Sequence, residues 1–151
     1  MSENDSIVIL LAEDDPDDRY LISEAFDEGE LPSKLYIVSD GEELLDYLYQ
    51  RGKYANQSEW PSPGLILLDL NMPRKDGREV LVEIKGDPEL RRIPVVVLTT
   101  SQAEEDIVRS YDLGVSGFIT KPVSFKGLLG VMKSLGDYWL KIVALPPQKK
   151  D

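Results

Sequence analysis

Five side chains of this sequence could do chemistry together: Glu13, Asp14, Asp69, Thr99 and Lys121. They stand at the carboxyl ends of four short apolar runs, and a parallel arrangement of those runs brings all five to one rim. Three carboxylates gathered there repel one another and require a cation. The chain has no histidine and no cysteine, so the ligands are hard oxygens, a donor set that suits Mg2+. A lysine and a hydroxyl converging on the same place can bind the oxygens of a phosphoryl group. Asp69 is then the nucleophile, its carboxylate accepting the phosphoryl group as an acyl phosphate. The metal offsets the charge that otherwise keeps carboxylate and phosphoryl donor apart.

The elements that must position these groups show in the hydropathy pattern. Residues 65–68 are an unbroken Leu/Ile run, closed by Asp69 and a turn bearing Asn71, Pro73 and Gly77. Such a run reads as a central strand buried on both faces. Residues 7–12 read as a first buried strand, 35–38 as a second, 94–100 as the fourth and 117–121 as a short fifth. Pro16 suits the first turn of a helix, the acids about it, among them Asp17 and Asp18, complement the positive end of the helix dipole, and Gly29 can stop the helix. Ser39 with Glu42, or Asp40 with Glu43, offers a capping box for the next. Val80, Leu81 and Ile84 carry a third helix ending near Gly86, and Ser101 or Thr100 caps a fourth that closes at Gly114. A last helix is expected from about Ser124 to Val143, and residues 52–64 form a polar connection, long for a link between helix and strand. Five strands alternating with five helices imply an α/β domain, doubly wound about a parallel sheet.

Composition narrows the function. At 151 residues and 42% hydrophobic, the chain suits one domain with one ordinary core. A net charge of −11, from 28 acidic and 17 basic residues, repels phosphate backbones and argues against a nucleic-acid reader. The absence of cysteine and histidine excludes disulfides, thiolate metal sites, histidine bases and phosphohistidine intermediates. No apolar run approaches the length of a membrane span and the amino terminus lacks a basic signal head, so a cytoplasmic protein is expected.

Glu13-Asp14, the stretch from Asp69 through Asn71, Pro73 and Lys75 to Gly77, Thr99, and Gly117-Phe118-Ile119-Thr120-Lys121-Pro122 resemble, in this order, the receiver domain of two-component response regulators. The resemblance spans about residues 7–143 and leaves 144–151 as a tail, so residues 1–151 are expected to be a single receiver domain. It implies a flavodoxin-like (βα)5 fold with strand order 2-1-3-4-5. It also implies that Asp69 is the phosphoacceptor, Asp14 a direct Mg2+ ligand, Glu13 a ligand through water and Asn71 a ligand through its backbone carbonyl. Thr99 becomes the switch hydroxyl, Lys121 the phosphoryl-binding lysine and Phe118 the aromatic partner that turns inward on activation. In the family the Lys121-Pro122 peptide is often cis. Two departures stand out: Glu13 where the family often has Asp, and Phe118 where Tyr is frequent. The long 52–64 connection, the stretch from Lys85 and Asp87 to Ser101, and the tail from Tyr138 to Pro146 are more closely similar to the small stand-alone regulators of cyanobacterial phytochromes. That similarity implies a phytochrome histidine kinase as donor, a downstream protein partner, and a homodimer.

The last helix bears on the dimer. Leu128, Met132, Leu135, Trp139 and Ile142 form a stripe that can pack on the sheet, while Val131, Tyr138, Leu140, Val143 and Leu145 lie off it. Apolar residues in excess of one stripe point to a second copy docked on the last helix and tail. The leading reading is thus a phosphorylation switch rather than an enzyme, with at most self-dephosphorylation. The alternative is an aspartate-nucleophile phosphohydrolase, but its second acid, two residues after the nucleophile, is here Asn71. A flavin carrier would need a hydroxyl- and glycine-rich first loop, where this chain has Glu13-Asp14-Asp15. A degenerate receiver used only for binding is disfavoured because no site residue is missing.

Overall fold

The computed structural model describes residues 7–29, 33–142 and 144–146, with 140–142 described by their backbone alone. Five strands, Val8–Ala12 (β1), Lys34–Val38 (β2), Leu65–Leu68 (β3), Val95–Thr99 (β4) and Gly117–Thr120 (β5), form one sheet in the order β2-β1-β3-β4-β5. Every neighbouring pair is parallel. Five α-helices alternate with them: Pro16–Glu28 (α1), Gly41–Tyr49 (α2), Gly77–Gly86 (α3), Glu104–Leu113 (α4) and Phe125–Leu135 (α5). The expected fold class and strand order are therefore the observed ones.

The three central strands are buried along their whole length, as unbroken apolar runs require. Side chains alternate across the sheet. Leu10, Ala12, Ile66, Leu68, Val95 and Val97 join a core with α2 and α3. Ile9, Leu11, Leu65, Leu67, Val96 and Leu98 join a second core with α1 and α5. Asp15 caps α1, accepting from the amides of Asp17 and Asp18 at 2.8 and 3.3 Å, and Asp40 caps α2 by accepting from Glu43 N at 2.8 Å. Glu43 reaches back to accept from Ser39 N at 2.6 Å, so the Asp40/Glu43 pair makes the cap and Ser39 contributes only its backbone amide.

Three local expectations change. α4 begins at Glu104, with Ala103 as an N-cap that makes no side-chain bond, rather than at a Ser101 or Thr100 cap. The Ser101 hydroxyl donates instead to Asp106 at 2.7 Å, and a hydroxyl proton given to a carboxylate is a stronger bond than a neutral cap. Beyond Leu135 the α-helix gives way to a π-helical stretch, Gly136–Ile142. The wider turns let Trp139 pack on the α1/α5 core beside Val131, and Leu145 packs on the same core. Leu140 and Ile142 by their side chains, and Val143 altogether, lie outside the described residues.

The 52–64 connection is not merely polar. It carries a 3-10 turn, Gly52–Tyr54, whose tyrosine is buried, and Tyr54 and Trp60 join Tyr36 and Tyr47 in a cluster of edge-on and tilted rings 5.0–6.2 Å apart. Tyr47 donates to Pro61 O at 2.8 Å, tying the loop to α2. Such pairs add to plain burial, which is why a long loop holds one conformation here.

The turn after β3 depends on Gly77. Its amide donates to Leu70 O at 2.9 Å, and a Cβ there would lie 2.7 Å from Leu70 Cα and closer still to the Asp69 carbonyl. A side chain at this position would push the backbone that carries Asp69.

Candidate phosphoacceptor site

Strand register brings the site together. Ala12 pairs with Leu68, so the next residues, Glu13 and Asp69, stand side by side, and Asp69 N donates to Ala12 O at 3.1 Å. Thr99 pairs with Thr120 on the other flank, and Lys121 N donates to Thr99 O at 2.6 Å. Glu13, Asp69, Thr99 and Lys121 are all buried, while Asp14 is half-buried.

Asp69 is held through both carboxylate oxygens. Its Oδ1 accepts from the Thr99 hydroxyl at 2.7 Å and from Asn71 N at 3.1 Å. Its Oδ2 lies 3.3 Å from Lys121 Nζ. The same ammonium donates to Glu13 Oε1 at 2.5 Å and to Asp18 Oδ2 at 2.9 Å. One lysine thus serves three carboxylates. Asp18 is a site residue that sequence reasoning passed over as a helix-start acid. Its place in the first turn of α1, aimed back at the rim by the Asp15 cap, is what brings it in.

The electrostatics reflect an excess of negative charge. Burial, reinforced by the Asp69 charge and only partly countered by Lys121, pushes the Glu13 carboxyl up to about 7. Burial alone would weaken the Lys121 ammonium, but hydrogen bonds to Glu13 and Asp18 and the Asp69 charge outweigh it and raise its pKa. Oxygen atoms of Glu13, Asp14 and Asp69 lie within 4.8 Å of one another. Three hard carboxylates in a half-desolvated pocket, with one ammonium to neutralise them, fit a small divalent cation.

Asn71 is exposed, and its amide nitrogen approaches the Thr99 hydroxyl at 3.5 Å. Phe118 is half-buried against the α2/α3 core. No peptide bond among the described residues is cis, so Lys121-Pro122 is trans here, the form an X-Pro bond prefers by roughly 0.5–1 kcal/mol.

A second group of polar residues borders the site without being legible as part of it. Arg78, in the first turn of α3, donates from Nε and Nη2 to the two carboxylate oxygens of Asp106 on α4, both at 2.7 Å. Its Nη1 reaches Asp76 at 3.1 Å and Asn71 Oδ1 at 3.3 Å. The Arg78 fork holds the Asp106 carboxyl down at about 2.

The profile of the response regulator receiver domain matches residues 9–133. The chain belongs to this family. Response regulator Rcp1 of Synechocystis sp. is 47% identical over 139 residues, which cover 92% of each chain. Among solved structures, the phosphorylated cyanobacterial phytochrome response regulator RcpA is 48% identical with a TM-score of 0.87, over 94% of this chain and 99% of that one. The Mn(2+)-bound form of Rcp1 is 45% identical with a TM-score of 0.85, over 93% and 99%. The protein is accordingly a response regulator of a phosphorelay, built on the receiver fold.

Proposed function

We propose that this response regulator stores a phosphoryl group on Asp69, received from the phosphohistidine of a sensor kinase, and that the whole chain is a single receiver domain. The observation that carries the reading is the setting of Asp69, buried between the Thr99 hydroxyl and the Lys121 ammonium beside two further carboxylates. The chain has no histidine of its own, so the donor is another protein or a small acyl phosphate. Similarity to RcpA, described as a phytochrome response regulator, supports a phytochrome kinase as that donor. Glu13, Asp14, Asp69 and the Asn71 carbonyl would hold Mg2+, which offsets charge between the carboxylate and the incoming phosphoryl group.

Lys121 and Thr99 supply what the chain itself contributes to the transfer. The ammonium neutralises the phosphoryl oxygens, and the hydroxyl donates to one of them once Asp69 is modified. Phe118 then follows Thr99 and changes the surface offered to a downstream protein. Any hydrolysis acts on the protein's own acyl phosphate, not on an outside substrate. The phosphohydrolase alternative gains no support, because the residue two beyond Asp69 is an exposed asparagine. A cytoplasmic setting accords with the described helices, none of which is long and apolar enough to cross a membrane. On incubation with Mg2+ and acetyl phosphate, intact mass is expected to show one labile phosphoryl group on the wild type and none on Asp69→Asn; uptake by both would place the acceptor elsewhere.

A homodimer through the last helix and tail belongs to the same proposal. Of the described apolar residues off the helical stripe, Val131 and Leu145 pack inward, while Tyr138 is 54% exposed. Tyr138 and Trp139 border a shallow hollow over Ile119 and Val131 that a second copy would cover. Sedimentation velocity is expected to show a dimer that dissociates on dilution and is weakened by Tyr138→Ala; a monomer at every concentration, phosphorylated or not, contradicts it.

A further inference from the structure

Resting on the reading of Asp69 as phosphoacceptor, we propose that Arg78 is a positioning residue: by clamping Asp106 and Asn71 it holds the Thr99 hydroxyl on Asp69, and phosphorylation proceeds against that clamp. The contacts form a closed ring. Thr99 Oγ1 gives its one proton to Asp69 Oδ1 at 2.7 Å and is approached by Asn71 Nδ2 at 3.5 Å and Ser101 N at 3.4 Å. Both of these neighbours are tied onward to the same guanidinium. Asn71 Oδ1 accepts from Arg78 Nη1 at 3.3 Å. The Ser101 hydroxyl donates to Asp106 Oδ2 at 2.7 Å, and Arg78 holds Asp106 in a two-pronged pair. The two arms run from Thr99 through Asn71 and through Ser101 and Asp106, and meet at Arg78.

Transfer forms a bond from an Asp69 oxygen to phosphorus as the donor's P–N or P–O bond breaks, its electron pair departing with the donor. Three phosphoryl oxygens then need donors, and the Thr99 proton must leave Asp69 Oδ1 for one of them. Thr99 is wholly buried, and Asn71 and Ser101, the two donors that fix its oxygen beside Asp69, are both anchored through the clamp. While the ring is closed, the Thr99 bond also ties up a lone pair of the attacking carboxylate. An ordinary surface ion pair would have neither consequence. This one is one-third exposed on Arg78 and 12% on Asp106, bidentate, and joined to the acceptor by two paths. The guanidinium's planar fork is essential, because an ammonium cannot span both Asp106 oxygens and Asn71 together.

The test uses the full chain with Mg2+ and acetyl phosphate, following phosphoryl uptake by intact mass for wild type, Arg78→Lys, Asp106→Asn, the double variant and Ser101→Ala. Each single variant is expected to take up phosphoryl about fivefold faster or more, the lower end of ordinary coupling between sites. The double variant should be no faster than the quicker single, since either change opens the same ring. Ser101→Ala cuts one arm and spares the ion pair, so it reads the effect without the clamp's contribution to stability. Before any phosphorylation, amide exchange at Ser101, Gln102 and Ala103 should quicken in Arg78→Lys. Uptake at the wild-type rate in all variants, with or without lowered stability, would make Arg78 a staple between α3 and α4 and overturn the proposal, as would slower uptake. Failure of the underlying reading looks different: Asp69→Asn would then be phosphorylated like the wild type.

Discussion

Lys121→Met is expected to lower the stability of the metal-free protein by about 3–5 kcal/mol, the usual cost of removing one partner from a buried ion cluster. Methionine fills nearly the same volume, so the loss is electrostatic. Glu13 and Asp69 are 1% and 5% exposed, and without the ammonium they face each other with no cation between them. Asp18 is half-buried and can turn to solvent, so it contributes less. Two features separate this account from a packing defect. The loss should shrink as pH is lowered, because protonating Glu13 relieves the repulsion. Added millimolar Mg2+ should restore much of it, since an ion that binds only the folded state stabilises by mass action. Urea midpoints in EDTA and in Mg2+, at two pH values, measure all three; equal midpoints for variant and wild type in EDTA would contradict the electrostatic role.

Glu13→Gln is expected to do the reverse without metal. In the folded protein the Glu13 carboxyl is raised, chiefly by burial, from 4.5 to about 7. The folded state therefore holds this proton more firmly than the unfolded chain. The stability so gained is complete below pH 4.5 and is lost as pH rises through 7. Glutamine does not titrate. The variant should match or slightly trail the wild type near pH 4.5 and exceed it above pH 7, by on the order of 2–3 kcal/mol. It should also bind Mg2+ more weakly, having lost one of three carboxylates. Stability and metal affinity would then change in opposite directions, as expected where function keeps charges crowded. Urea midpoints across this pH range in EDTA, with a Mg2+ titration at pH 8, test both halves; a stability difference that does not vary with pH would show that Glu13 carries no such burden.

These two outcomes concern residues that stand out in the chain, and the reason is physical. An apolar run long enough for a strand, ended abruptly by a charge or a hydroxyl, states locally where a buried strand must stop. Glu13, Asp69, Thr99 and Lys121 are such stops, and parallel pairing leaves their ends on one rim. Gly77 and the caps of α1 and α2 are equally local, because a tight turn or an unsatisfied amide accepts few residue types. The alternation of strands and helices, and with it the fold class, follows from the same short-range periodicities.

Beyond that shared rim, what joins separate elements was not legible. Asp18 read as one more acid in a helix start, and only the phase of α1 against β5 brings it 2.9 Å from Lys121. Ser101 looked like a cap for α4, yet its partner is Asp106, and the start of the helix shifts accordingly. The 52–64 loop looked polar because its rings are scattered in sequence; they gather only when α2 and β2 present Tyr47 and Tyr36 to them. Arg78 and Asp106 are 28 residues apart, in helices whose exposed faces both look ordinary. A side chain's periodicity and its neighbours along the chain suffice to say that it ends a strand or caps a turn. Which distant charge it meets depends on sheet register and on the rotation of each helix about its axis, and the packing of two whole cores sets both.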